Sequence, residues 1–218
     1  MAKVKGPLLS MRASGTIAKT NVFASWRGVP YVRIHVIPAN PQTAGQDLTR
    51  NTFRWLNDLY RRLGVYGVSP WIKYATGRPF AARNGFIKQN LPVLRTEVTL
   101  ANLIASPGAL GGPALDSFTP NTGAPSGKID FDFTIGTLPA GWTLLYVAGI
   151  AVNEQNPQDL GPIEYGEGFY TGANPQTFTI SGLTPATDFA CGGWAKYARP
   201  DGVSAYSVSE TALVTSSA

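Results

Sequence analysis

Apolar positions change their period twice along this chain. Thr20–Trp26 and Pro30–Ile37 are rich in β-branched and aromatic residues and flank Arg27-Gly28-Val29, which predicts a β-hairpin. On its second strand Tyr31, Arg33 and His35 fall on one face and Val32, Ile34 and Val36 on the other. From Ala44 to Leu63 the spacing becomes three and four. Leu48, Phe53, Leu56, Leu59, Tyr60 and Leu63 form one helical stripe, with Arg50, Arg54, Arg61 and Arg62 largely off it. Thr43 is the expected N-cap and Gly64 the stop. Ser69-Pro70-Trp71 predicts the start of a second helix, limited by Gly77 and Pro79. Ala81–Asn90 predicts a third, with Phe86 and Ile87 inward and an end before Pro92, and residues 93–104 suit a closing strand.

Ser106-Pro-Gly-Ala-Leu-Gly-Gly-Pro113 has the composition of a linker, and beyond it the period is two. Ile129, Phe131, Phe133 and Ile135 alternate with Lys128, Asp130, Asp132 and Thr134, the pattern of a strand with one wet face. Trp142–Val152 is a long apolar strand, and Phe178/Ile180, Phe189–Tyr197 and Tyr206–Val214 continue the series. Short strands separated by Gly, Pro and Asn turns predict an all-β sandwich. The expected organisation is therefore an α+β domain over 1–105 (a β-hairpin plus two or three short helices), a linker over 106–113 and a sandwich over 114–218.

Composition agrees with a turn-rich chain: 24 glycines and 17 prolines in 218 residues, with only 14% charged. The net charge of +5 hides a division. Residues 1–110 hold 15 Lys/Arg against Asp47, Asp58 and Glu97, whereas residues 111–218 hold Lys128, Lys196 and Arg199 against 10 acids. Such a split places the two halves in different surroundings. No run of 18 apolar residues marks a membrane span, and Met1–Ser10 lacks the apolar core of a signal peptide. The expectation is a protein made in the cytoplasm and kept there until it is assembled or released, with no membrane partner. Cys191, the only cysteine, excludes an internal disulfide and reads as a small buried residue in an apolar strand.

Two segments resemble known families. Phe178-Thr-Ile-Ser-Gly-Leu-Thr-Pro-Ala-Thr-Asp-Phe189, with Trp194-Ala-Lys-Tyr197, Gly202–Ser207 and Thr211–Thr215, resembles the last three strands of a fibronectin type III domain. Gly182-Leu-Thr-Pro185, Thr187 and Phe189 match that family's E–F corner, although Phe189 lacks the hydroxyl of the usual tyrosine. The resemblance implies an immunoglobulin/fibronectin III-like sandwich used for binding or spacing. Residues 6–90 resemble an uncharacterised family of tailed-phage virion-associated proteins, through Ala13–Ile17, Val22–Gly28, Tyr31–Arg33, Pro38–Thr43, Gln46, Arg50, Phe53, Trp71 and Asn84–Asn90. That likeness implies a place in a virion as capsid decoration, head–tail connector (neck) or tail component. The partners would be capsid, portal/neck or tail subunits and further copies of the chain.

Catalytic chemistry has little to build on. His35, the only histidine, lies in a strand pattern between Ile34 and Val36, and no phosphate-binding loop is present. Asp130 and Asp132 stand about 7 Å apart on a wet strand face. Glu164 and Glu167 read as solvated loop acids. We expect no catalytic residues, metal or cofactor, and no enzyme. The stronger signal is the set Arg12, Arg27, Arg33, Arg50, Arg54, Arg61 and Arg62, which suits either phosphates or the carboxylates of a neighbouring protein. Protein contacts are favoured because no helix-turn-helix, zinc or stacking motif accompanies the charge. Tyr165, Phe169 and Tyr170 are candidate contacts for carbohydrate or another protein. The expectation is a structural virion protein anchored by its basic N-terminal half, with the sandwich projecting outward. The alternatives are a carbohydrate-binding host-adhesion module and a DNA-binding packaging or injection protein.

Overall fold

The structure is a computed structural model and describes residues 2–3, 14–17, 20–26, 29–37, 42–172 and 176–218. It divides into two compact units, Met1–Gln42 and Thr43–Ala218.

The first unit is a four-stranded antiparallel sheet of β1 (Ala2–Lys3), β2 (Gly15–Ile17), β3 (Asn21–Trp26) and β4 (Val29–Ile34), in the order β1-β4-β3-β2. The expected hairpin is β3–β4, with Phe23 opposite Val32 and Asn21 opposite Ile34. Its second strand ends at Ile34, after which the His35 N–H donates to the Thr20 carbonyl at 2.6 Å. The turn residues Arg27 and Gly28 lie outside the described residues.

Among the described residues of the second unit three helices precede eight strands. The helix α1 (Ala44–Arg62) has Thr43 at its N-cap in an extended conformation, and the Gln46 and Asp47 amides donate to the Thr43 carbonyl. Its buried stripe is Thr52, Trp55, Leu56, Leu59 and Leu63. This differs from the expected stripe: Trp55 turns inward, and Leu48 and Phe53 stay more than 40% exposed. An indole offers more apolar area than either, so burial of Trp55 sets the rotation of the helix.

The helix α2 (Val65–Ala75) starts five residues before the position that Ser69-Pro70 suggested. Pro70 therefore lies inside it, and the Ser69 hydroxyl bonds the Val65 carbonyl instead of capping. α3 (Ala82–Leu94) likewise runs through Pro92. Residues 93–104 form no strand. They turn back across the body, held by the buried Asn90 side chain, which accepts from the Ile104 N–H at 2.8 Å and donates to the Ile104 carbonyl at 3.1 Å.

The strands form two antiparallel sheets. β5 (Ser117–Thr122), β6 (Lys128–Thr134) and β9 (Gln176–Ser181) make one, in the order β5-β6-β9. The other pairs β8 (Tyr165–Tyr170) with β7 (Thr143–Asn153) and β7 with β10 (Asp188–Ala198). The far side of β10 is shared by β11 (Ser204–Tyr206) and β12 (Glu210–Thr215). Ile129, Phe131, Phe133, Val147, Ala151, Ile180, Phe189 and Tyr197 belong to one core between the sheets. A second core lies on the opposite face of the larger sheet, where Ala148, Ile150, Val152, Ala190, Trp194 and Tyr206 join Trp55, Leu59, Trp71, Phe86 and Leu94 of the helices.

These two cores explain two kinds of strand sequence. β6 alternates because one face is wet, whereas β7 and β10 are covered on both faces and read as nearly continuous apolar runs. Close packing also fixes glycines. A Cβ on Gly193 would stand 2.5 Å from Phe118 on the sandwich side, and one on Gly192 would stand 2.7 Å from Ala105 on the helix side. Cys191 is buried as expected, and burial pushes its thiol pKa up.

The segment 106–113 is a strap and not a free connection. Ser106 and Ala109 are buried. The Ser106 hydroxyl donates to the Ser207 carbonyl at 2.6 Å, the Ser209 N–H to the Ser106 carbonyl at 3.0 Å and the Tyr206 N–H to the Ala109 carbonyl at 2.9 Å. Its glycines allow close approach to the sheet: a Cβ on Gly112 would stand 2.5 Å from the Tyr206 backbone. The compact division of the chain accordingly falls between Gln42 and Thr43, not at 106–113, because helices and sheet share one core.

At the 182–189 corner, Gly182 has φ of +81° and Leu183 and Phe189 are buried. The C-terminal segment ties this corner. The Ser216 hydroxyl donates to the Thr184 carbonyl at 2.7 Å and accepts from the Thr187 N–H at 3.1 Å.

One buried carboxyl gives the body a pH dependence. Glu154 accepts from the Leu100 N–H at 2.9 Å through Oε1, while its Oε2 is buried without a hydrogen-bond partner. Burial raises its pKa, offset in part by the Leu100 N–H and assisted by the Asp188 charge. A carboxyl raised on folding stabilises the fold below its unfolded pKa, and that contribution disappears as pH climbs through the raised value. Glu154→Gln keeps an acceptor for Leu100 and removes the charge. Thermal unfolding measured from acid to neutral pH is expected to show a flatter stability profile for the variant than for the parent. Parallel profiles would contradict this assignment.

Candidate docking surfaces

Three of the expected arginines share the outward face of α1. Arg50, Arg54 and Arg61 recur at helical spacing, opposite the buried Leu56 and Leu59. Asp47 and Asp58 fall on the same face, a feature that counting arginines alone passes over. Arg50 pairs with Asp47 at 3.6 Å and Arg61 with Asp58 at 3.2 Å, both at i, i+3 and both largely in solvent. Pairs of this kind contribute little to stability and halve the field of the arginines. Arg54 and Arg62 are exposed and make no ion pair among the described residues. Arg33 is exposed on β4, in the other unit. Arg12 and Arg27 lie outside the described residues. Among the described residues, Arg50, Arg54 and Arg61 are the expected arginines that one helix face brings together.

Charge also divides between the two units. Residues 1–42 contain six Lys/Arg and no acid, while residues 43–218 contain 12 Lys/Arg and 13 acids. Within the body the helical layer is cationic and the sheets acidic, yet their shared core is apolar. The ion pairs found among the described residues of the body are local, with Arg199–Asp201 as the third. The cations of α1 face solvent rather than the sheets.

The first unit shows an apolar surface beside its charge. Ile34 is 73% exposed, Val36 68% and Ile37 78%. A sheet of four short strands has too little interior to hold such side chains, so its apolar area stays available for a partner.

Tyr165 and Phe169 both face α2, where Tyr165 is largely buried and Phe169 stays 45% exposed. Strand β8 alternates Tyr165, Glu167 and Phe169 toward the helix with Gly166 and Gly168 toward β9. A Cβ on Gly166 would stand 2.5 Å from Ile180, and one on Gly168 2.6 Å from Phe178. Phe169 stacks on Tyr66 with ring centroids 4.1 Å apart. The Tyr165 hydroxyl donates to Glu167 Oε2 at 2.7 Å. Burial, then this carboxylate, pushes its pKa far above the usual tyrosine range. Tyr170, on the other face, is 38% exposed.

Glu167 is not a solvated loop acid. Its Oε2 accepts the Gly67 N–H at 3.1 Å, at the third residue of α2, whose N-cap Gly64 has no side chain to offer. The carboxylate caps the helix from a strand 100 residues away, where the positive end of the helix dipole favours it. The signal for this was present in the period-two pattern Tyr165-Gly-Glu-Gly-Phe169, which marks a strand. Glu167→Ala is expected to destabilise the body by about 1–2 kcal/mol, with Tyr165 fluorescence and urea unfolding as the readouts. An unchanged midpoint would show that the cap is idle.

Glu164 also takes a structural role, accepting the Thr184 N–H, and Asp130 and Asp132 bond Thr179 and Asn121 on the wet face of the smaller sheet. No group of three or more His, Cys, Asp or Glu placed to hold a metal occurs among the described residues. No helix is long and apolar enough to cross a membrane among them. A scan against protein-family models finds no family that matches the chain, and a search of curated proteins finds no significant match.

Proposed function

We propose that this protein is a structural component of a tailed-phage particle, anchored by residues 1–42, with an immunoglobulin/fibronectin III-like sandwich carried outward on the body. The observation that carries the reading is the first unit itself. It combines six cations, no acid and an exposed apolar patch in a stretch too short to bury a core of its own. A surface of that kind suits an acidic protein neighbour. Opposite charge steers the encounter and burial of Ile34, Val36 and Ile37 holds the contact.

The fibronectin III-like reading draws support from the three-strand and larger sheets, their common core and the buried corner at 182–189. Ser216 bonds the backbone of the corner where that family's tyrosine would. The anchor differs from the basic half expected above, since residues 43–94 are bound into the body by the second core.

Purified particles produced by the genome that encodes this chain test the proposal. The chain is expected among their proteins at a fixed copy number. A double change, Ile34→Asp with Ile37→Asp, is expected to leave the protein soluble and folded but absent from particles. Particles that never contain the chain, or that incorporate the variant normally, would refute the anchoring role.

A further inference from the structure

The outward face of α2 carries a groove that the anchoring reading does not use. Val65, Val68, Ser69, Ile72, Lys73 and Thr76 recur at spacings of three and four and so share that face, opposite the buried Gly67 and Trp71. Leu63, Gly64, Val65, Val68, Ser69 and Ile72 line an apolar hollow of about 400 Å³. Ser69 and Ile72 also border a second hollow of about 250 Å³, with Lys73, Thr76, Lys196, Ser204 and Tyr206. The two adjoin at these shared residues. Val65 is 77% exposed and Ile72 58%, so aliphatic surface stands in water beside two ammonium groups.

Neither hollow is lined by an Asp or Glu, and the Glu167 carboxylate beside Gly64 at the apolar end is engaged by the Gly67 N–H. The Lys196 ammonium sits 5.2 Å from the Tyr146 ring centroid and 5.7 Å from that of Tyr206. Ring faces attract a cation without neutralising it, and they hold the ammonium at the floor of the hollow. Tyr146 stays neutral, since burial foremost and then Tyr206 push its pKa far up.

We propose that this groove binds a short peptide segment of a partner protein, with aliphatic side chains against Val65, Val68 and Ile72 and a following carboxylate at the Lys73/Lys196 end. A lone inorganic anion would leave the larger, apolar hollow unfilled. The cationic residues 1–42 of a second copy contain no acid to meet the lysines.

Two model peptides test this on the ¹⁵N-labelled full chain. N-acetyl-Leu-Val-Asp-Glu-amide is expected to shift amides of residues 63–76 and 196–206 saturably, and N-acetyl-Leu-Val-Lys-Lys-amide to leave them in place. Lys73→Glu with Lys196→Glu should weaken the acidic peptide about tenfold or more. Ile72→Ser, an exposed change that keeps the fold, should weaken it without altering amides elsewhere. The proposal is overturned by no shifts, by equal shifts from both peptides, or by the same shifts from sodium phosphate alone. It is equally overturned if the groove amides shift with protein concentration in the absence of peptide, which would assign the face to a second copy.

Discussion

Trp71→Ala is expected to lower the stability of the whole body, helices and sheets together, by about 3–5 kcal/mol. Trp71 is fully buried, meets Phe86 edge-on with centroids 5.1 Å apart and donates its indole N–H to the Ala105 carbonyl at 2.9 Å. The alanine would leave a cavity in the core between helices and sheet and an unpaired carbonyl at the start of the strap. Urea unfolding followed by resolved amide resonances of the helices and of the sheets should give one shifted transition. A helical signal that melts early while the sheet transition stays in place would show that the two layers do not share a core.

Residues 114–218 alone are expected not to fold into a stable sandwich. Without the helices, Ile150, Val152, Trp194 and Tyr206 would lose their cover, although each is below 5% exposed in the intact body. The strap bonds from Ser106 and Ala109 would go as well. Apolar burial contributes about 25 cal/mol per Å², and one buried tryptophan or tyrosine accounts for about 150–250 Å² of area. Loss of several such residues is comparable with the total stability of a domain. The isolated fragment should aggregate or show poorly dispersed amide resonances, whereas residues 43–218 should unfold cooperatively. A well-dispersed spectrum from 114–218 would restore the linker at 106–113.

Both expectations come from a point where composition misleads. Ser106–Pro113 has the residues of a flexible connection, but Gly108 and Gly112 serve close approach to Val208 and Tyr206. Glycine supplies room as readily as flexibility, and only the neighbouring backbone tells which. Helix starts misled for a related reason. Ser69-Pro70 is a sound local start signal, yet α2 begins at Val65 because Glu167 provides the missing cap from a distant strand.

Local periodicity alone determined the hairpin, the three helical regions, the one-sided wet strand β6 and the burial of Cys191, since each depends on side-chain direction along a few consecutive residues. The apolar runs of β7 and β10 marked them as strands, while their cover on both faces is seen only in the fold. What covers them on both faces, and which rings of β8 face α2, are decided by contacts between residues up to about a hundred positions apart. No window of sequence contains both partners of such a contact, so only the tertiary structure could assign residues 43–94 to the body.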